Sequence, residues 1–149
     1  MKINSIISTL LAAVLTFSVN AQAQTTPNEK LVLKALTEIF VKRDASAIDR
    51  YWGTPYIQHN PTVPNGHEGL KGLLQNLPAN FKYDSGMIAS SGDIVMIHGR
   101  YVGLGPKPLV VVDIFRVKDS KLVEHWDVLQ EEVPAAQTKS GNPMFVPLR

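Results

Sequence analysis

Apolar residues recur at helical spacing up to Leu77 and alternate at strand spacing from Phe81 onward, and this one change of period constrains the fold most. In the first part, Thr26-Pro27-Asn28-Glu29 reads as a helix start. Thr26 is the cap, Pro27 suits the first helical position, and Glu29 stands where a capping-box carboxylate belongs. Val32, Leu36, Ile39, Phe40 and Arg43 then fall on one helical face. Asp44 caps a second helix carrying Ile48, Tyr51 and Trp52, which Gly53 and Pro55 end. Leu70, Leu73, Leu74 and Leu77 mark a third short helix before Pro78. In the second part, residues 82–89 and 94–102 flank a hairpin signal at Ser90-Ser91-Gly92-Asp93. Residues 109–117 and 121–130 flank a short turn at 118–120, and residues 131–149 read as an irregular tail. Helices followed by a four-strand meander predict an α+β fold. The helices lie on one face of a curved antiparallel sheet, which encloses a cone-shaped cavity.

The N-terminus reads as a secretory signal. Lys2 precedes an apolar stretch over residues 6–19, and Ala21-Gln22-Ala23 gives the small-x-small cleavage pattern. The expectation is a signal peptide at 1–23, one domain at 24–149, and a periplasmic or secreted protein with no membrane association after cleavage. Cysteine is absent, so stability must come from a packed core. The chain carries 15 basic and 13 acidic residues, and cleavage removes only Lys2. Such a balance argues against nucleic acid as a partner.

Polar residues that interrupt the apolar strands are the candidates for chemistry. Tyr56-Ile57-Gln58-His59-Asn60-Pro61 lies between helices, with His59 and Asn60 as its polar offerings. On the strand 94–102, Met96, His98 and Arg100 share one face, while Ile97 and Tyr101 share the other and would serve a homodimer contact. Asp113 breaks the run Leu109-Val110-Val111-Val112, so it is either buried with a partner or lining a cavity. In Glu124-His125-Trp126-Asp127, alternation sends His125 and Asp127 one way and Glu124 and Trp126 the other. If Val117 pairs with Leu122, Asp113 lies opposite Trp126, and only a one-residue bulge brings Asp113 and Asp127 to the same side. No His pair has metal-ligand spacing, and no phosphate loop, G-x-S-x-G elbow or cysteine nucleophile occurs, so no metal or cofactor is read.

Four segments carry a resemblance: residues 56–61, Gly66-His67-Glu68-Gly69, residues 112–117 and residues 122–128. Together they resemble the SnoaL-like polyketide cyclase branch of the nuclear transport factor two-like superfamily, over roughly residues 28–131. The resemblance implies the α+β cone and a small-molecule ligand. In the cyclases an aspartate removes a proton from an activated carbon without cofactor or metal, and the matching position is Asp127. Asp113 stands where those enzymes carry a histidine. The implied function is cofactor-independent acid–base catalysis, aldol, cyclase or isomerase in type, on a small carbonyl compound. Asp127 is the base, His59, His98 and Asp113 position or polarise the substrate, and His125, Arg100, Trp126 and Asn60 bind it. The alternatives are a water-activating enzyme of epoxide-hydrolase type, built on Arg100, Asp113 and Asp127, and a non-catalytic ligand-binding domain.

Overall fold

A computed structural model describes residues 25–148, so the expected signal peptide at 1–23 lies outside the described residues. The first helix, α1 (Pro27–Leu36), starts as a complete capping box: the Glu29 amide donates to Thr26 Oγ1 at 3.2 Å, and the Thr26 amide donates to Glu29 Oε2 at 2.8 Å. Ser90 Oγ donates to the other Glu29 oxygen at 2.7 Å, which ties the helix start to the sheet. Val32, Ala35 and Leu36 are buried, and a π-helical segment (Thr37–Val41) continues the inward face through Ile39 and Phe40. Arg43 departs from the expected helical face. It turns the chain at φ 56°, and its guanidinium donates to the Pro78 and Phe81 carbonyls at 3.1 and 3.3 Å.

Two short helices follow, α2 (Ala47–Tyr51) and α3 (Gly66–Asn76), with strand β1 (Trp52–Gln58) between them. That strand was not expected, because Gly53-Thr54-Pro55 reads as a breaker; proline is tolerated there because β1 is an edge strand. Strands β2 (Lys82–Ser91), β3 (Ile94–Val102), β4 (Leu109–Lys118) and β5 (Lys121–Glu131) form the expected meander. The sheet order is β1-β5-β4-β3-β2. Pairing is antiparallel throughout except that β1 runs parallel to β5, so the sheet has five strands and is mixed.

One irregularity decides which side chains face inward. Val117 pairs with Leu122, but Arg116 pairs with Glu124, so Val123 is an extra residue in β5. Gly53 of β1 leaves room for it: a Cβ there would stand 2.9 Å from Val123 Cγ1. Beyond the bulge Phe115 opposes His125 and Asp113 opposes Asp127, so the two carboxylates project from one face.

The helices and the inward face of the sheet share one core, including Val32, Ile39, Ile48, Val95, Ile97 and Leu122, all 0% exposed. On β3 the inward residues are Val95, Ile97, Gly99 and Tyr101. The face formed by Ile97 and Tyr101 is therefore interior and not a dimer surface. Exposed apolar side chains of the sheet include Ile57, Met87, Met96, Val112 and Val128. Past β5 the chain turns at a 3₁₀ segment (Ala135–Gln137) and crosses the outer side of β2 and β3. There Phe145 packs on His98 with ring centres 5.5 Å apart, and the Leu148 amide donates to the Ser85 carbonyl at 2.9 Å. Gly86 permits this close approach, since a Cβ would meet Val146 O at 2.8 Å and Phe145 Cε2 at 2.9 Å.

Candidate active site

Between the helices and the curved sheet lies a cavity of about 440 Å³. Its walls are mainly apolar, with Leu36, Phe40, Trp52, Leu73, Phe81 and Phe115 prominent. Its polar side chains include Gln58, Asn60, Tyr101, Asp113, His125 and Asp127, and among the described residues no lysine or arginine lines it. Concave, largely apolar pockets with a few convergent polar groups are the usual form of small-molecule sites.

These polar groups form a connected chain. Asp113 is 1% exposed and would be costly to bury alone. Tyr101 Oη lies 3.0 and 3.2 Å from its two oxygens and donates to the carboxyl group, while His125 Nε2 lies 3.1 Å from Oδ1. His125 Nδ1 sits 2.8 Å from Gln58 Oε1, and that oxygen also accepts from the Asn60 amide at 2.9 Å. Asn60 Nδ2 donates to Asp127 Oδ2 at 2.6 Å. Thr62 donates from its amide and hydroxyl to Asn60 Oδ1 at 2.8 and 2.7 Å, which fixes the orientation of the amide. The loop after β1 and strands β3, β4 and β5 thus converge on two carboxylates and one imidazole.

Burial and the nearby Asp113 push the Tyr101 phenol well above its ordinary value, and burial does the same to Tyr56, so both remain neutral donors. The indole N–H of Trp52, a cavity-lining residue, has no partner among the described residues. Donor atoms of Asp113, His125 and Asp127 all lie within 4.8 Å of one another, and this is the group that could hold a metal ion.

The structure brings together Asp113, His125, Asp127 and Asn60 of the expected site residues. It places His59, His98, Arg100 and Trp126 elsewhere. His59 continues the outward face of β1: its Nε2 meets Glu124 Oε1 at 2.9 Å, and its ring stacks on Trp126 at 4.7 Å. Arg116 joins this outer cluster through Glu124 at 2.9 Å and Asp93 at 2.7 Å. Hydrogen bonds from His59 and Arg116 hold the Glu124 carboxyl below its ordinary range. His98 and Arg100 lie on the outer face of β3 by simple alternation. His98 is covered by Phe145, with its Nδ1 lacking a partner among the described residues, and Arg100 pairs with Glu132 at 2.7 Å. The Arg100–Asp113–Asp127 set required for the epoxide-hydrolase-like alternative is therefore split between two faces.

Gln58, Tyr101 and Trp52 were missed. Read as a strand, residues 56–60 put Tyr56, Gln58 and Asn60 on one side and Ile57 and His59 on the other. A segment placed only between helices carries no such parity. Tyr101 shares the parity of Val95 and Ile97, the two fully buried apolar side chains of its strand.

A family model described as a SnoaL-like domain matches residues 33–125. Among solved structures, a proposed polyketide cyclase from Acidithiobacillus ferrooxidans is 16% identical with a TM-score of 0.62, the match covering 73% of this chain and 92% of that one. A proposed polyketide cyclase from Bacillus cereus is 22% identical with a TM-score of 0.59, covering 68% and 75%. A proposed ketosteroid isomerase from Kribbella flavida is 15% identical with a TM-score of 0.61, covering 80% and 90%. At these identities the likeness is one of fold. No curated protein matches the sequence.

Proposed function

The chain belongs to the SnoaL-like domain family, and from that membership and the buried polar network we propose that it is an enzyme acting by acid–base catalysis on a small, neutral, enolisable carbonyl compound. The observation that carries this reading is the placement of Asp113, His125 and Asp127 together in an apolar cavity that no lysine or arginine lines among the described residues. Such a site would repel carboxylates and phosphates and welcome an uncharged, partly aromatic or alicyclic body.

Asp127 is the base. Asn60 holds its Oδ2, which leaves Oδ1 to accept a proton from the carbon next to the substrate carbonyl. The apolar walls keep water from competing for that proton. Polyketide cyclase and ketosteroid isomerase, the names given to structures of like fold, both describe reactions of carbonyl compounds, which supports the class without naming the substrate.

Asp127→Asn keeps the shape of the side chain and removes its basicity. Across a panel of cyclic and linear enolisable ketones, the variant is expected to lose turnover by about 10²–10⁴-fold with its melting temperature unchanged. Undiminished turnover would remove Asp127 from the role. A ligand that binds at one equivalent and is never turned over by the parent would make the protein a binder.

A further inference from the structure

We propose that Asp113 and His125 hold one proton between them and act as the acid of the site, delivering that proton to the carbonyl oxygen of a neutral substrate. The assignment of acid rests on the reading of Asp127 as base; the presence of the shared proton does not.

The proton count follows from one backbone amide. The Asn60 N–H can only donate, so the Gln58 atom 2.9 Å from it is the amide oxygen and not the nitrogen. The same oxygen faces His125 Nδ1 at 2.8 Å. An oxygen that can only accept requires Nδ1 to carry hydrogen. In a neutral ring Nε2 is then a bare lone pair, and it points at Asp113 Oδ1 from 3.1 Å. Two lone pairs do not hold that distance in a buried site without a proton between them. The proton sits on the imidazole beside an ionised Asp113, or on Asp113 beside a neutral imidazole. In either form the pair has no net charge.

Among the described residues the surroundings offer no other source of compensation. Tyr101 from β3 donates its single hydrogen to Asp113 and stays a phenol. Tyr56 and Gln58 from β1 and Tyr83 from β2 are neutral, and Asp127 from β5 adds a second carboxylate. The Tyr83 hydroxyl, buried with no partner among the described residues, donates nothing to the pair. Two ionised carboxylates beside a neutral imidazole would leave two uncompensated negative charges in an apolar cavity, the arrangement that like-charge repulsion and desolvation both oppose. One shared proton halves that charge.

The chemistry balances with these groups alone. Asp127 takes the proton from carbon, the electrons of that C–H bond form the carbon–carbon double bond, and the carbonyl π electrons close onto oxygen. There they accept the proton from the Asp113–His125 pair. The product is the enol. Returning a proton to a different carbon gives an isomer, and attack of the enol carbon on a second carbonyl gives an aldol. No oxidant or reductant is involved.

The test is spectroscopic and needs no substrate. In protein labelled with ¹⁵N-histidine and ¹³C-aspartate at neutral pH, His125 Nδ1 is expected to carry hydrogen. Either Nε2 is also protonated, or Asp113 shows the carboxyl shift of a protonated acid. In Asp113→Asn, a variant of nearly the same shape, Nε2 is expected to move to the bare lone-pair position with Nδ1 still protonated. A His125 with hydrogen on Nε2 and a bare Nδ1 would overturn the proposal, as would a bare Nε2 beside an ionised Asp113. A stoichiometric divalent metal bound to Nε2 in the purified protein would overturn it too. Asp127→Asn should leave the His125 signals in place. If that variant still turns over, the base assignment fails and the shared proton stands. If the signals are wrong but Asp127→Asn is dead, the reverse holds. With a substrate in hand, Asp113→Asn is expected to lose about 10²–10⁴-fold in rate.

Discussion

Tyr101 is the side chain through which the buried acid can be tuned. Its ring packs among Phe40, Phe81 and Tyr83, with centres 5.9, 5.7 and 5.3 Å away, while its hydroxyl donates to Asp113. Tyr101→Phe keeps the packing and removes the donor. A hydrogen bond contributes about 0.5–1.5 kcal/mol, or about 1.5–3 kcal/mol where its acceptor is ionised, so denaturant unfolding should register a loss of about 0.5–3 kcal/mol. At this scale the sequence revealed chemistry only where a charge broke an apolar run. Asp113 and Asp127 stand out for that reason. His59 and His98 stand out as well, yet strand parity turns both away from the cavity, and parity cannot be read for a segment mistaken for a loop. Tyr101 and Gln58 were invisible because nothing in a tyrosine or glutamine distinguishes a packing role from a polar one until its neighbours are known.

The start of α1 and the bulge in β5 show how differently two elements can be written in a chain. The capping box is local, with all its parts within four residues, and it is legible directly. Its prediction is equally local. Bonds from Ser90, from the Thr26 amide and from the Thr26 side chain hold the Glu29 carboxyl below its ordinary value of 4.5. A carboxyl whose value is depressed by folding stabilises the fold above its unfolded value, and that contribution disappears as pH falls through the folded one. Glu29→Gln should therefore lower stability near pH 6. Between about pH 5 and 3 it should lose less further stability than the parent. Parallel losses in denaturant titrations at pH 6 and 3.5 would count against this account. The bulge is not local. It depends on Gly53, some seventy positions away in sequence, leaving space for Val123, and on a parallel pairing of β1 that no short-range signal announces. The turn and its first pair, Val117 with Leu122, could be read from the sequence; the extra residue that aligns Asp113 with Asp127 could be posed only as a condition.

For the whole molecule, the order of helices and strands sufficed to reach the α+β cone, because an element needs only its own periodicity to be recognised and these elements have few ways to pack. Two properties at this scale remain proposals. Ala21-Gln22-Ala23 supports export with cleavage after Ala23. Intact mass of the mature protein is expected to begin at Gln24; a mass retaining residues 1–23 would refute it. The exposed Met96, Val112 and Val128 on the outer sheet face support a homodimer, in place of the inward Ile97 and Tyr101. Val128→Glu, 67% exposed in the single chain, should shift sedimentation to the monomer without lowering the melting temperature of dilute protein. A parent already monomeric at micromolar concentration would refute the dimer.

The strand β2 ends the sheet, and its outer rim would otherwise offer unpaired backbone groups to any passing chain. The residues around Phe145 to Leu148 occupy part of that rim, with the Leu148 amide already bonded to Ser85 and Gly86 too small to push them off. The segment from Phe145 to Leu148 thus shields that rim against strand-to-strand pairing.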